Sequence, residues 1–338
     1  MFEMLEAKIA PTPKDTIYRE GKGSIYRFRG GKPGAGTHVP VLLVPSMINR
    51  WYVLDLREGA SVATAVSAGA PWDTFLFDWG IPEDEDRYLS WDDVVAKLDR
   101  VVRRVLRVTG ARAVSIVGYC MGATLSSIYT ALHPERVAAL VNLAGPIDFS
   151  HAGRLGTMVD KRWFDPEAMT APGNLGAAQM QSGFTALAPT GSISKWIGFA
   201  DKMHDPRAVG AFAALDKWAG DNIPFPAAAY VTYIKELYQE NRLFKGEHRV
   251  AGAEVDLRRI TCPVMSIVAD RDAICPPAAA TALNDKSSST VKDVMSIPGG
   301  HVGAVVGSRA AKELYPRLRA WLDKHGTIAR TRQPESRL

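Results

Sequence analysis

The chain has 338 residues, 46% hydrophobic and 23% charged, with a formal charge of +5. That length suits one large domain or a core carrying an insertion, and the balance is that of an ordinary globular protein. No basic block interleaved with aromatics points to nucleic acid, no uncharged run reaches membrane-spanning length, and residues 1–20 carry charges throughout instead of an apolar signal region. The modest positive charge suits an anionic substrate such as an acyl-CoA, or simply a solvated basic surface. Three cysteines, Cys120, Cys262 and Cys275, are an odd number without metal-type spacing. They read as reduced thiols of a cytosolic protein, and neither a metal nor a cofactor is expected.

In chain order, residues 1–38 carry two weak strand signals, near Ile9 and at 24–28, then a Gly/Pro-rich turn at 30–36. Residues 39–44, Val-Pro-Val-Leu-Leu-Val, form an apolar run of the kind buried in a parallel sheet. Residues 74–79 read as the next strand, and 91–109 have helical periodicity between Ser90 as N-cap and Gly110 as stop. The apolar run 114–119 leads into Gly118-Tyr119-Cys120-Met121-Gly122 and a helix-compatible segment, and 138–143 is another buried-type strand. From 151 to 251 the rhythm changes to a Met-, Trp- and Pro-rich stretch of irregular helices without strand signals. Strand patterns resume at 262–269 and 294–298, and an amphipathic helix follows from about 310 to 325. Strands alternating with helices imply a mostly parallel sheet covered on both faces. The expected division is a core over 1–150 and 252–326, a helical cap over 151–251, and a disordered basic tail over 327–338.

A strand, Gly-x-Cys-x-Gly and then a helix is the pattern of a nucleophile elbow with cysteine in place of serine, which predicts an α/β-hydrolase fold. The central residue enters a strained turn, and glycines two residues to either side leave room for the folded backbone. The plain alternative is a buried, inert cysteine. Hydrolases of this architecture place nucleophile, acid and histidine in that chain order, each just beyond a strand. Beyond 262–269 come Asp270-Arg271-Asp272, and beyond the last strand Pro298-Gly299-Gly300-His301. Among seven histidines only His301 follows a late strand on a Gly-Gly loop; His38 and His133 flank other elements, His325 ends a helix, and His151, His204 and His248 fall in the insertion. Asp270 and Asp272 both fit as the acid, and Asp272 is favoured because the Ile-Cys-Pro-Pro segment after it would anchor its loop. Cys262 and Cys275 read as packing residues. An oxyanion hole needs two donors: Met121 N–H supplies one, and Ile48, in preference to Met47, the other. Trp218 and Trp196 either line an acyl pocket or form the core of the insertion, and Asn49 and Trp218 are the candidates for substrate contact.

These segments resemble the catalytic subunit of polyhydroxyalkanoate (PHA) synthases over most of the chain. The resemblance is carried by residues 45–56 (Pro-Ser-Met-Ile-Asn-Arg-Trp-Tyr-Val-Leu-Asp-Leu), Phe77-Asp78-Trp79-Gly80-Ile81-Pro82, the elbow, Leu132-His133-Pro134, Ala214-Leu215-Asp216-Lys217-Trp218 and Pro298-Gly299-Gly300-His301-Val302-Gly303. It implies an acyltransferase that polymerises 3-hydroxyacyl-CoA and releases CoA. Cys120 attacks the thioester, His301 draws off its proton, and Asp272 activates the substrate's 3-hydroxyl for elongation. With about forty residues before the first buried strand, the chain is similar to the short class III or IV subunits. The resemblance thus further implies a second synthase subunit, a homodimer and work at the cytoplasmic PHA granule surface. Two departures stand out: Ala273 where the family has His, and Ala123 where a second Gly is usual. A cysteine acyl hydrolase or thioesterase on the same scaffold is the alternative.

Overall fold

The structure, a computed structural model, describes residues 8–33, 38–187 and 204–327. Eight strands form one sheet: β1 (Lys14–Glu20), β2 (Gly23–Phe28), β3 (Val41–Val44), β4 (Thr74–Asp78), β5 (Val114–Tyr119), β6 (Val137–Leu143), β7 (Val264–Ala269) and β8 (Lys292–Ile297). Their spatial order is β1-β2-β4-β3-β5-β6-β7-β8. Pairings β1/β2 and β2/β4 are antiparallel, and the others are parallel. The central strands β3, β5 and β7 are buried at every residue, which is why they read as unbroken apolar runs.

Two registers build the platform for a site. Val44 at the end of β3 pairs with Gly118 in β5, so the loop after β3 meets the elbow. Ala269 at the end of β7 pairs with Ile297 of β8, which sets the two loops that follow side by side. Helix α1 (Trp91–Thr109) starts on a Ser90 capping box and stops at Gly110 in the left-handed conformation (φ 69°). It buries Trp91, Val94, Val95, Leu98, Val101, Val102 and Val105, a stripe at helical spacing. Each such side chain contributes ~1.5–3 kcal/mol of burial.

Some boundaries differ from the sequence reading. Ile9 lies outside any strand, and the first strand is Lys14–Glu20. That edge strand is mostly exposed and polar, so alternation could not reveal it; pairing with β2 holds it. The final helix is α4 (Tyr315–His325), preceded by a π-helical turn at Ala310–Leu314. Pro316 lacks the N–H that a continuous α ladder needs there. Between β6 and β7 the described residues form several helices, the longest of them α3 (Pro206–Gly220), and a hairpin of two-residue strands, Arg249–Val250 with Ala253–Glu254. Trp196 and the basic tail beyond Thr327 lie outside the described residues. Among the described residues, no helix is long and apolar enough to cross a membrane.

Candidate active site

Cys120 occupies the junction of β5 and α2 (Met121–Leu132) with φ 55° and ψ −130°, a backbone conformation that costs a non-glycine residue of order 1–3 kcal/mol. Neighbouring hydrogen bonds hold it there: Cys120 N donates to Leu143 O (2.9 Å), and Cys120 O accepts from Ala123 N (2.9 Å). The flanking glycines are required by space. A Cβ on Gly118 would lie 2.4 Å from Ala123 Cα, and one on Gly122 2.2 Å from Val44 O. Ala123, in place of the second glycine, fits because Gly145 faces it; a Cβ there would lie 2.4 Å from that of Ala123.

The two late loops bring an acid and a base to the same place. Asp272 Oδ2 lies 2.7 Å from His301 Nδ1, and Oδ1 accepts from Ile274 N and Cys275 N at 2.8 Å each. The Asp272 side chain is fully buried. Asp270 instead is exposed, accepts from Gly299 N at 2.7 Å and thereby ties one loop to the other. His301 and Cys120 line a common cavity of about 900 Å³. Burial opposes charge on His301, but the Cys120 sulfur and the Asp272 carboxylate outweigh it, and the imidazole is held up to about 10. The sulfur and the carboxylate beside it thus favour the charged form of the imidazole. Because the largest upward contribution comes from Cys120, a ¹³C-histidine NMR titration should show the His301 transition near pH 10 in the wild type and at clearly lower pH in Cys120→Ala. An unmoved transition would detach the imidazole from the thiol.

Of the two expected oxyanion donors, Met121 N sits on the first turn of α2 beside the sulfur, without a hydrogen-bond partner among the described residues. The other, Ile48 N, is turned onto Ser46 Oγ at 3.2 Å. Ser46 and Ile48 both line the cavity, and this donor is occupied by the Ser46 side chain. The remaining thiols are packing: burial pushes Cys262 up to about 12 and Cys275 well above the ordinary range. All three cysteines are free.

Residues 40–308 match the family described as the α/β hydrolase fold. The poly(3-hydroxyalkanoate) polymerase subunit PhaC of Allochromatium vinosum is 34% identical over 333 residues, covering 96% of this chain and 93% of that protein. The chain belongs to the PhaC family. The subunit of the same name from Haloarcula marismortui is 32% identical over 337 residues, with 96% and 71% covered. The structure of Paleococcus ferrophilus monoacylglycerol lipase shares the fold at a TM-score of 0.52 and 15% identity, covering 89% of this chain and 99% of the lipase.

In this PhaC chain Asn49 and Trp218 both line the cavity, and each has its side-chain nitrogen bonded to a neighbour in the lining. Asn49 Nδ2 donates to Asn222 Oδ1, and Trp218 Nε1 donates to Arg50 O at 2.9 Å. The bulk of the lining escaped the sequence reading. Met158, Met169 and Met180 with Phe164 and Phe184 form an adaptable apolar wall from the short helices after β6. Tyr233 and Tyr238, one π-helical turn apart, complete it. Irregular helices of mixed composition gave no periodic signal to mark those faces. Ala273 also lines the cavity, so the position where the family has His is a methyl group beside the exposed Arg271.

Proposed function

We propose that this PhaC chain is a polymerase subunit that extends poly(3-hydroxyalkanoate) from 3-hydroxyacyl-CoA through an acyl-cysteine intermediate. What carries the reading is a single arrangement: a sulfur on a sharp turn and an imidazole backed by a buried carboxylate, opening on one large apolar cavity. A thiolate paired with an imidazolium attacks the thioester carbon, the tetrahedral oxyanion collapses, the carbon–sulfur bond to CoA breaks, and the imidazolium proton is available to the departing thiolate. Once acylated, Cys120 carries no charge, and the largest upward influence on His301 disappears. The neutral imidazole is then a base for the 3-hydroxyl of the next acyl group. That hydroxyl attacks the acyl-cysteine, an ester bond forms, and the cysteine sulfur leaves. An apolar cavity that excludes water favours the hydroxyl over hydrolysis.

The resemblance gives Asp272 the activation of the 3-hydroxyl. With both its oxygens occupied and its side chain outside the cavity wall, it does so through His301, holding the tautomer that accepts the proton. An alcohol is far harder to deprotonate than a thiol, so elongation depends on this pair more than acylation does. Asp272→Asn is therefore expected to keep more of the initial CoA burst than of the steady rate, while Asp270→Asn keeps both near wild type. The reverse ranking would transfer the role to Asp270.

A second, non-homologous subunit, a homodimer and a location at the granule surface belong to the same proposal. Incubation with 3-hydroxybutyryl-CoA and longer 3-hydroxyacyl-CoAs, with and without extract supplying a candidate second subunit, tests it. Insoluble polyester with stoichiometric CoA is expected. Free hydroxy acid as the only product would make the chain a thioesterase.

A further inference from the structure

Tyr119 is the residue just before Cys120, and its role follows from where its ring lies. The phenol ring stacks on the His301 imidazole, centroids 5.3 Å apart and planes inclined by 30°. The side chain is buried, and its hydroxyl has no hydrogen-bond partner among the described residues. Whatever Tyr119 gives this site therefore comes from the ring face and not from the hydroxyl. We propose that Tyr119 is a positioning residue that favours the charged imidazolium of His301, and so the reactive thiolate of Cys120, by presenting the electron-rich face of its ring.

The backbone makes this placement unavoidable. β5 ends at Tyr119, and the elbow then turns Cys120 to φ 55°, so the side chains of 119 and 120 leave the strand in different directions toward the same histidine loop. Around the imidazole, the acid loop supplies Asp272 at 2.7 Å on Nδ1 and the elbow supplies the Cys120 sulfur. Tyr233 and Tyr238, from the π-helical turn, line the same cavity close enough to feel the charge of Cys120, and Arg271 lines it as well. Asp272 acts on the ring through Nδ1, and the Cys120 sulfur acts as a neighbouring charge. Tyr119 covers a face of the ring, which the nitrogens cannot use. A cation within about 6 Å of an aromatic centroid is attracted to the ring face, and more strongly when water is excluded. Burial alone opposes the imidazolium, so a dry face that attracts charge matters most here.

The test rests on Cys120 being the nucleophile but needs no acyl-CoA, so it can fail while the polymerase reading stands, and the reverse. Tyr119 is replaced by Leu, by Phe, and by mono- and trifluorinated phenylalanines, which keep the ring's shape while weakening its face. Iodoacetamide alkylation of the Cys120 peptide is followed by mass spectrometry across pH, with the His301 NMR transition measured in parallel. Tyr119→Phe is expected to retain at least half of the wild-type alkylation rate at pH 7. The fluorinated forms should lose rate progressively, with an overall reduction of about three- to tenfold for the trifluorinated ring. In step, the acid limb should move to higher pH and the His301 transition to lower pH. Tyr119→Leu should resemble the trifluorinated form in both profiles, apart from any loss of thermal stability. If fluorination leaves both profiles unmoved, the ring merely fills space and the proposal fails. If Tyr119→Phe is as slow as Tyr119→Leu, the hydroxyl acts instead, and the proposal fails equally.

Discussion

Cys120→Ala and His301→Gln are each expected to reduce CoA release from 3-hydroxybutyryl-CoA by at least ~10³-fold, and the double variant to be scarcely worse than either alone. The non-additivity follows from the geometry. The imidazole's charge is held mainly by the cysteine sulfur, and both side chains open on one cavity, so removing either leaves the other without its task. Cys120→Ser should also be far slower than wild type, since a hydroxyl at that strained φ is much less ionised and is the poorer leaving group. Rates are followed by a thiol reagent, to which the half-buried Cys262 and the buried Cys275 contribute little, since burial holds both thiols protonated. Multiplicative losses, or a Cys120→Ala variant retaining a tenth of the activity, would show that acyl transfer does not pass through this sulfur.

How much of this was legible depends on the kind of signal. Strands β3, β5 and β7 announce themselves because burial on both faces forces continuous apolar runs. Positions fixed by backbone chemistry were equally readable. Ser90 and Gly110 bracket α1, and Gly118 and Gly122 bracket the elbow because no Cβ fits at either. The elbow motif brought Cys120 forward, chain order added His301 and a choice between Asp270 and Asp272, and the paired ends of β7 and β8 explain why acid and histidine meet. Three things lay beyond the sequence. The polar edge strand β1 depends on its partner for its conformation. The methionine and tyrosine wall comes from short helices whose inner faces are set by tertiary packing. The Ile48 N–H is taken up by the Ser46 side chain, and no residue pattern encodes that bond.

Gly122→Ala is expected to be the most damaging single methyl group among the described glycines. The added carbon would sit 2.2 Å from Val44 O and 2.5 Å from Pro45 O, and backbone at the end of a buried strand cannot move aside as a side-chain tip would. Val44 is itself fixed by its register with Gly118, so relief must come from tilting α2 away from the sheet. We expect a loss of about 3 kcal/mol or more in stability. What folds should have its elbow displaced by a fraction of an ångström or more, which costs of order 10²-fold in rate because reacting groups tolerate little misplacement. A matched change elsewhere should have the opposite sign. Gly210 lies on an exposed face of α3 with nothing within 4 Å of an added Cβ, so Gly210→Ala should stabilise by ~0.5–1 kcal/mol through helix propensity. Thermal melts and CoA release on both variants check the pair. If Gly122→Ala melts with the wild type and turns over normally, the close approach between α2 and the end of β3 is not what holds Cys120 in its bend, and the site loses its structural cause.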